Sequence, residues 1–167
     1  MDYMNPQGTL IIKVRDSVSG NIKKEFVQHN IITRQGDAYI ADQLSLSPQR
    51  QKINSSNCYI VVGTGYTGTN NKNQTWVNTQ VGNAQAVTAT YPSLGGTWGN
   101  VGQNILNFNF VFPAGSLNST GINEAAIVSA QYQGGATTCL AYAQLSSTDI
   151  TPADSLEISW SINFSGQ

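Results

Sequence analysis

Hydrophobic and polar residues alternate along several short stretches of this chain. In residues 9–15 every second side chain is apolar, which is the period-two pattern of a half-buried strand. Residues 17–21 are rich in Ser, Gly and Asn, which favour turns. Residues 22–31 then have the composition of a return strand, so the pattern predicts a hairpin over residues 9–31.

One segment has helical spacing instead. Its apolar stripe consists of Ala38, Ile40, Ala41 and Leu44. Thr33 is suited to the N-cap position and Pro48 to ending the helix, so we predict a short helix over residues 33–47. Gly36 lies near its start, where a missing side chain would allow close packing against a strand.

The rest of the chain has the character of β structure. Further strands are predicted at 58–62, 84–91, 105–112, 122–130, 138–145 and 156–164. Long polar loops are expected at 66–83 and 92–102. About eight strands with Gly, Asn and Ser turns predict an all-β fold, an antiparallel sandwich or jelly roll with one short helix. We expect an arm over residues 1–8 and a single domain over residues 9–167.

The composition predicts a surface that is polar but carries few charges. Only 10% of the 167 residues are charged, against about 25% in a typical soluble domain. Asn, Gln, Ser and Thr together supply 62 residues. The net charge of −1 argues against nucleic acid as a partner, because phosphate binding needs a basic surface. No apolar run approaches the roughly 20 residues of a membrane span, so we expect no membrane partner.

Charge is also distributed unevenly along the chain. All eight Lys and Arg residues lie between Lys13 and Lys72, so residues 1–72 carry +3 and residues 73–167 carry −4. The basic half of one copy could attract the acidic half of a neighbouring copy. Alternatively, the two halves could neutralise each other inside one fold. The sequence leaves both alternatives open.

Candidate catalytic groups are few. His29 is the single imidazole and has no nucleophile motif beside it, which favours an ordinary surface histidine. Glu124 and Glu157 lie on predicted strands as a conceivable glycosidase pair, but Glu157 shares the polar side of its strand. A calcium site would need Asp149 and Asp154 beside Glu157, without the dense spacing that such sites show.

The remaining motifs also favour structural roles. The run Gly63-Thr64-Gly65 lacks the lysine and the helix of a phosphate loop, so a tight turn is the better interpretation. Cys58 and Cys139 allow one disulfide, although two buried free thiols are the expected state. We therefore predict no enzyme activity and no cofactor.

Aromatic residues in polar loops suggest a different class of function. Trp76 and Trp98 lie in the two long loops, and Tyr66 begins the first of them. Aromatic residues in such loops are common at sugar-binding and protein-binding surfaces. Alternatively, the loop folds back and its aromatic residue covers one end of the sheet. Trp160 alternates with Ile158 and Ile162 and is therefore predicted to lie in the core.

Several segments resemble a broad group of small β-sandwich structural proteins of tailed bacteriophages, described as head decoration, fibre or minor tail components. The matching stretches are residues 30–36, 40–44, 62–65, 122–127, 140–142 and 154–164. The resemblance spans residues 30–164 and implies an all-β module that assembles, usually as a homotrimer, without catalytic residues. Glu124 matches an acidic position of the group and is expected to be structural. The Asn- and Gln-rich loops depart from the group's pattern.

These observations lead us to expect a capsid decoration (cement) protein, located on the virion and bound to the major capsid protein. Lys13, Arg15, Lys23 and Lys24 would form a basic side that faces an acidic capsid patch. The arm, with Tyr3, Asn5 and Pro6 as interface candidates, would order on a neighbour. Alternatives are a tail, collar or baseplate adaptor, and a carbohydrate-binding module that uses Tyr66, Trp76 and Trp98.

Overall fold

A computed structural model describes residues 7–69, 71–97, 100 and 103–164, and the description of Gln7 is confined to its backbone. It contains nine strands and one helix in the following order: β1 (Gln7–Asp16), β2 (Ile22–Ile32), α1 (Arg34–Gln43), β3 (Tyr59–Gly63), β4 (Gln80–Ala86), β5 (Ser93–Leu94), β6 (Ile105–Phe112), β7 (Ser119–Val128), β8 (Cys139–Ile150) and β9 (Asp154–Asn163). The fold is all-β with a single short helix, as predicted.

All nine strands join one antiparallel sheet in the order β4-β3-β7-β8-β2-β1-β9-β6-β5. The sheet curls until its two ends approach each other, since Val87 forms a bridge to Phe110. There the Val87 N–H donates to the Cys58 carbonyl and the Thr88 N–H donates to the Asn109 carbonyl, both at 2.9 Å. Irregular registers in the β1–β2, β3–β4 and β7–β8 pairs accompany this curling. The expected division into two separate sheets is therefore not seen.

The main hydrophobic core fills the inside of the curl. Strict alternation in β9 places Leu156, Ile158, Trp160 and Ile162 in this core, each fully buried, which confirms the prediction for Trp160. The phenylalanines of β6, the alternate aliphatic residues Leu10, Ile12 and Val14 of β1, and buried residues of β3, β7 and β8 form the rest of the inner surface. Period-two patterning thus identifies the buried face of each of these strands.

A second, smaller cluster lies on the other face of β3, β7 and β8. Here the strands carry unbroken apolar runs, such as Ile60–Val62 and 125–128, instead of alternation. Such runs indicate strands that are covered on both faces. The covering element is the loop between β3 and β4, which packs Trp76 and Val77 against the sheet.

Helix α1 begins as predicted, with Thr33 as N-cap: its hydroxyl accepts a hydrogen bond from the Gly36 N–H at 3.0 Å. Gly36 packs directly on β8, because a Cβ there would overlap the Leu140 carbonyl oxygen. The helix ends at Gln43, four residues before the predicted end. Asp42 accepts hydrogen bonds from the N–H groups of Gln49 and Arg50 and draws the following chain back toward the helix.

Other boundaries also differ from the prediction: β7 begins at Ser119 instead of residue 122, and β8 continues to Ile150 instead of ending at residue 145. The extra strand β5 has only two residues and lies inside a predicted loop, where no periodic pattern could mark it. Strand β4 begins at Gln80 and ends at Ala86, because the chain crosses to β6 after Val87. Strand β1 begins at Gln7, so residues 7 and 8 belong to the sheet rather than to an arm.

Candidate functional site

The four cations of the first hairpin do not share one surface. Lys13 and Arg15 lie on the outward side of β1, since the intervening Val14 is buried in the core. Lys24 is the register partner of Val14 and therefore lies on the inner side of β2. There its Nζ donates to Thr148 Oγ1 at 3.1 Å. The predicted basic side is thus divided between the two faces of the sheet.

Charge pairs also join the two halves of the chain. Arg15 Nε lies 3.3 Å from Glu157 Oε2. Lys23 Nζ lies 2.6 Å from Asp154 Oδ1 and 3.2 Å from Asp16 Oδ2. The Lys23 ammonium and the hydroxyl and N–H of Thr151 lower the pKa of Asp154. The basic first half and the acidic second half therefore neutralise each other, at least in part, inside one fold.

The outward side of β2, β1, β9 and β6 forms one continuous surface, which we call the polar face. Its members are Thr9, Ile11, Lys13, Arg15, Glu25, Val27, His29, Asn107, Asn109, Val111, Glu157, Ser159 and Ser161. His29 is exposed on this face, as predicted for an ordinary surface histidine.

Side chains on the polar face hold one another across the strands. Asn109 Nδ2 donates to Glu157 Oε1 at 3.2 Å and to Ser159 Oγ at 3.1 Å. The Ser161 hydroxyl donates to Asn107 Oδ1 at 2.7 Å. Because these groups already have partners, they lose less conformational freedom when another molecule packs on them.

The remaining contacts of the polar face are ionic or apolar. Lys13 Nζ lies 3.9 Å from Glu25 Oε2, within the same surface. Ile11 and Val27 are register partners with 39% and 55% of their surface exposed, and Val111 is 38% exposed. The face thus offers aliphatic patches in a surface of amides and hydroxyls whose charges are paired.

Trp76 lies under its loop rather than on a binding surface. Its side chain is 4% exposed, packs in the smaller apolar cluster, and donates from Nε1 to Gln80 Oε1 at 2.9 Å. Tyr66 packs partly buried against the same cluster. A buried indole cannot stack on a sugar ring, so Trp76 does not serve the carbohydrate-binding alternative. Tyr3, Asn5, Pro6 and Trp98 lie outside the residues that the structure describes.

A buried carboxylate fastens this loop to the sheet. Glu124 is 0% exposed, and its Oε1 accepts N–H donors from Gly65 and Asn78 at 2.9 Å and from Thr79 at 3.0 Å. Its Oε2 accepts the Tyr142 hydroxyl at 2.7 Å. Burial, and then this bond to a carboxylate, raise the pKa of Tyr142. We call Glu124, Gly65, Asn78, Thr79 and Tyr142 the Glu124 clamp.

The glycines of the run Gly63-Thr64-Gly65 make room for the contact between the β3–β4 loop and Glu124. A Cβ at Gly63 would overlap the Thr79 carbonyl oxygen and lie 2.6 Å from Glu124 Oε1. The glycines therefore allow close approach of the loop to β7, and the loop returns over the sheet instead of forming a phosphate site.

The acidic residues that suggested catalysis or calcium binding lie apart. Glu124 is on β7 and Glu157 on β9, with three strands between them in the sheet. Asp154 faces the inside of β9 while Glu157 faces outward, and Asp149 accepts the Gly121 N–H at 2.8 Å. Among the described residues, no group of three or more His, Cys, Asp and Glu side chains is placed to hold a metal ion.

An apolar cavity of about 650 Å³ opens beside α1, and we call it the α1-side cavity. Its walls come from α1, the segments 52–55 and 89–94, and the ends of β6, β8 and β9. The lining residues are Tyr39, Ile40, Gln43, Lys52, Ile53, Asn54, Ser55, Ala89, Thr90, Tyr91, Pro92, Leu94, Leu106, Leu140 and Phe164.

The two thiols are free, as expected. Cys58 faces the main core and Cys139 the smaller cluster on the other side of the sheet. Burial raises the pKa of each thiol to about 12. A protonated, buried thiol is a packing group rather than a nucleophile.

No family model, curated protein or solved structure matches this chain. Within the described residues, no helix is long and apolar enough to span a membrane. The functional interpretation therefore depends on the surfaces described above and on the resemblance of the sequence segments.

Sequence reasoning missed the Glu124 clamp and the α1-side cavity. A signal for the clamp exists, since Glu124 is an acidic residue immediately before the apolar run 125–128 of a strand. A buried carboxylate in such a strand requires hydrogen-bond donors. The cavity has no comparable signal, because six separate segments form its walls.

Proposed function

We propose that this chain is a structural subunit of a tailed-phage virion, a head decoration protein that assembles as a homotrimer and binds the major capsid protein. The sequence segments that resemble such proteins support this proposal, together with the all-β fold. Its binding surface is the polar face.

The observation that carries the proposal is the internal pairing of charge on the polar face. Arg15 pairs with Glu157 and Lys13 with Glu25, so this surface offers a partner few unpaired charges. A charged small substrate finds no counter-ion there. A broad protein surface with amides, hydroxyls and aliphatic patches is a better match, because such interfaces combine many modest contacts.

A trimer would repeat this face three times on the shell. Each single contact could then be weak, because linked contacts raise the overall affinity without any new bond. Binding that depends little on ionic pairs also persists at high salt, where exposed charges are screened within about 3 to 10 Å. These properties suit a permanent component of a particle.

The test is co-sedimentation of the purified protein with heads that lack it, at about 0.05 M and about 0.5 M salt. Ile11→Asp on the polar face should weaken binding at least about tenfold, because the interface would bury an unpaired charge. Val18→Asp is the matched control, since Val18 is 92% exposed in the β1–β2 turn, away from the face.

Equal binding of wild type and Val18→Asp at both salt concentrations, with loss in Ile11→Asp, supports the proposal. Failure of the wild-type protein to bind heads contradicts it. Binding to purified tails but not to heads would instead favour the adaptor alternative. Equal loss in both variants would contradict the assignment of the polar face as the binding surface.

A further inference from the structure

The main hydrophobic core reaches the surface at the α1-side cavity. Among the described residues, seven partly buried apolar side chains pack against this core, and five of them line the cavity. These five are Tyr39, Ile40, Tyr91, Leu106 and Phe164. Contiguous apolar surface marks binding grooves, whereas single exposed apolar side chains do not. The volume of about 650 Å³ also falls within the range of about 300 to 1,000 Å³ that is typical of small-molecule sites.

One wall of this cavity is polar. The segment 52–55 supplies three of the five polar, non-aromatic residues in the lining. The five are Gln43, Lys52, Asn54, Ser55 and Thr90. Hydrogen bonds hold the segment in place, since Asn57 Nδ2 donates to the Lys52 carbonyl at 3.0 Å and the Ile53 N–H donates to the Tyr39 hydroxyl of α1. Apolar walls with a few polar groups are the usual form of a small-molecule site.

Lys52 gives the polar wall a positive charge. It is the single charged residue in the lining, it is exposed, and it forms no ion pair within the part of the chain that the structure describes. The two carboxylates of α1 have other partners, because Asp37 pairs with Lys72 and Asp42 accepts two N–H groups of the following loop. A negative group on a ligand would therefore meet an unpaired cation beside the apolar walls.

We propose that the α1-side cavity binds an aliphatic amphiphile whose head group is a carboxylate. Its chain lies against Tyr39, Leu106 and Phe164, and its head lies beside Lys52. Each methylene group that is fully buried raises the affinity roughly fourfold. The head group selects the ligand, because Lys52 attracts a carboxylate and repels a cation on a chain of equal length. This binding goes beyond the proposed function and does not depend on binding to a phage head.

Titration calorimetry of the full chain tests the charge preference. The probes are dodecanoate and dodecyltrimethylammonium, both at neutral pH and below their micelle concentrations. The Kd for dodecanoate should be at least about threefold lower, since an exposed ion pair contributes this much. Lys52→Glu should reverse the order. Lys24→Glu is the matched control and should keep the wild-type preference, because Lys24 also lacks a carboxylate partner but does not line the cavity.

A bulky substitution tests the location of the chain. Ala89 lines the cavity and is exposed, so Ala89→Trp places an indole where the chain would lie. The affinity for dodecanoate should fall at least about tenfold, since the lost burial of about two methylene groups already has this effect. Ala86→Trp is the matched control, because Ala86 is exposed on β4 and does not line the cavity. Urea unfolding of each variant without amphiphile checks that it folds.

The outcomes separate clearly. Saturable binding of dodecanoate, with a preference that Lys52→Glu reverses and an affinity that Ala89→Trp lowers, supports the proposal. Absence of saturable binding to the wild-type protein would overturn it. Equal affinities for the two amphiphiles, or an unchanged affinity in Ala89→Trp, would overturn it as well.

Discussion

The Tyr142 hydroxyl donates to Glu124 Oε2 across 2.7 Å, and both side chains are buried between the sheet and the β3–β4 loop. This bond joins adjacent strands, since Glu124 lies on β7 and Tyr142 on β8. The other carboxylate oxygen accepts N–H groups of the loop. The Glu124 side chain thus fixes the loop to the sheet, and the loop in turn covers the smaller apolar cluster.

Replacing Glu124 with Gln should lower the free energy of unfolding by about 3 kcal/mol, because an NH₂ group would replace an oxygen that accepts several donors. The measurement is urea unfolding. Glu25→Gln is the matched control, since its carboxylate is half-exposed and makes one 3.9 Å ion pair. Equal losses in the two variants would contradict the role of the clamp.

Tyr142→Phe tests the same contact from the other side. It removes the hydroxyl, keeps the ring, and should cost about 1 to 2 kcal/mol in urea unfolding. Tyr59→Phe serves for comparison, because the Tyr59 hydroxyl makes a longer, exposed bond to the Ser56 carbonyl at 3.3 Å. A loss in Tyr59→Phe as large as in Tyr142→Phe would count against the clamp.

Gly36→Ala should destabilise the protein by about 2 kcal/mol. Helix propensity alone would favour alanine by about 1 kcal/mol. The added Cβ, however, would overlap the Leu140 carbonyl oxygen of β8, which has little freedom to move. Gly135→Ala is the control, because no atom lies within 4 Å of its Cβ position. A stabilised Gly36→Ala variant would show that α1 does not pack closely on β8.

Acid should destabilise the turn after β1. Hydrogen bonds from Ser19 and then Lys23 lower the pKa of Asp16 from 3.8 to about 2. A carboxyl group whose folded pKa is lowered stabilises the fold above its unfolded pKa, and this contribution is lost as the pH falls toward the folded pKa. The urea midpoint should therefore fall between pH 3.8 and about 2, and less steeply in Asp16→Asn. Identical slopes would contradict the assignment.

The sequence allowed prediction of those elements whose pattern is local. Strand β9 alternates strictly over its whole length, and the N-cap of α1 is defined by Thr33 and its immediate neighbours. The partners of Glu124 in the loop are 45 to 59 residues away along the chain, so only the strand order brings them together. Similarly, the sequence predicts one common side for Lys13 and Lys24, because it does not reveal the β1–β2 register that pairs Lys24 with the buried Val14.

Locating the protein on intact virions tests the central claim most directly. If the proposal holds, antibody labelling of particles of a tailed phage whose genome carries this sequence, viewed by electron microscopy, should show label distributed over the outer surface of the head. Label confined to the tail, collar or baseplate, or no label on any particle, would contradict a head decoration protein.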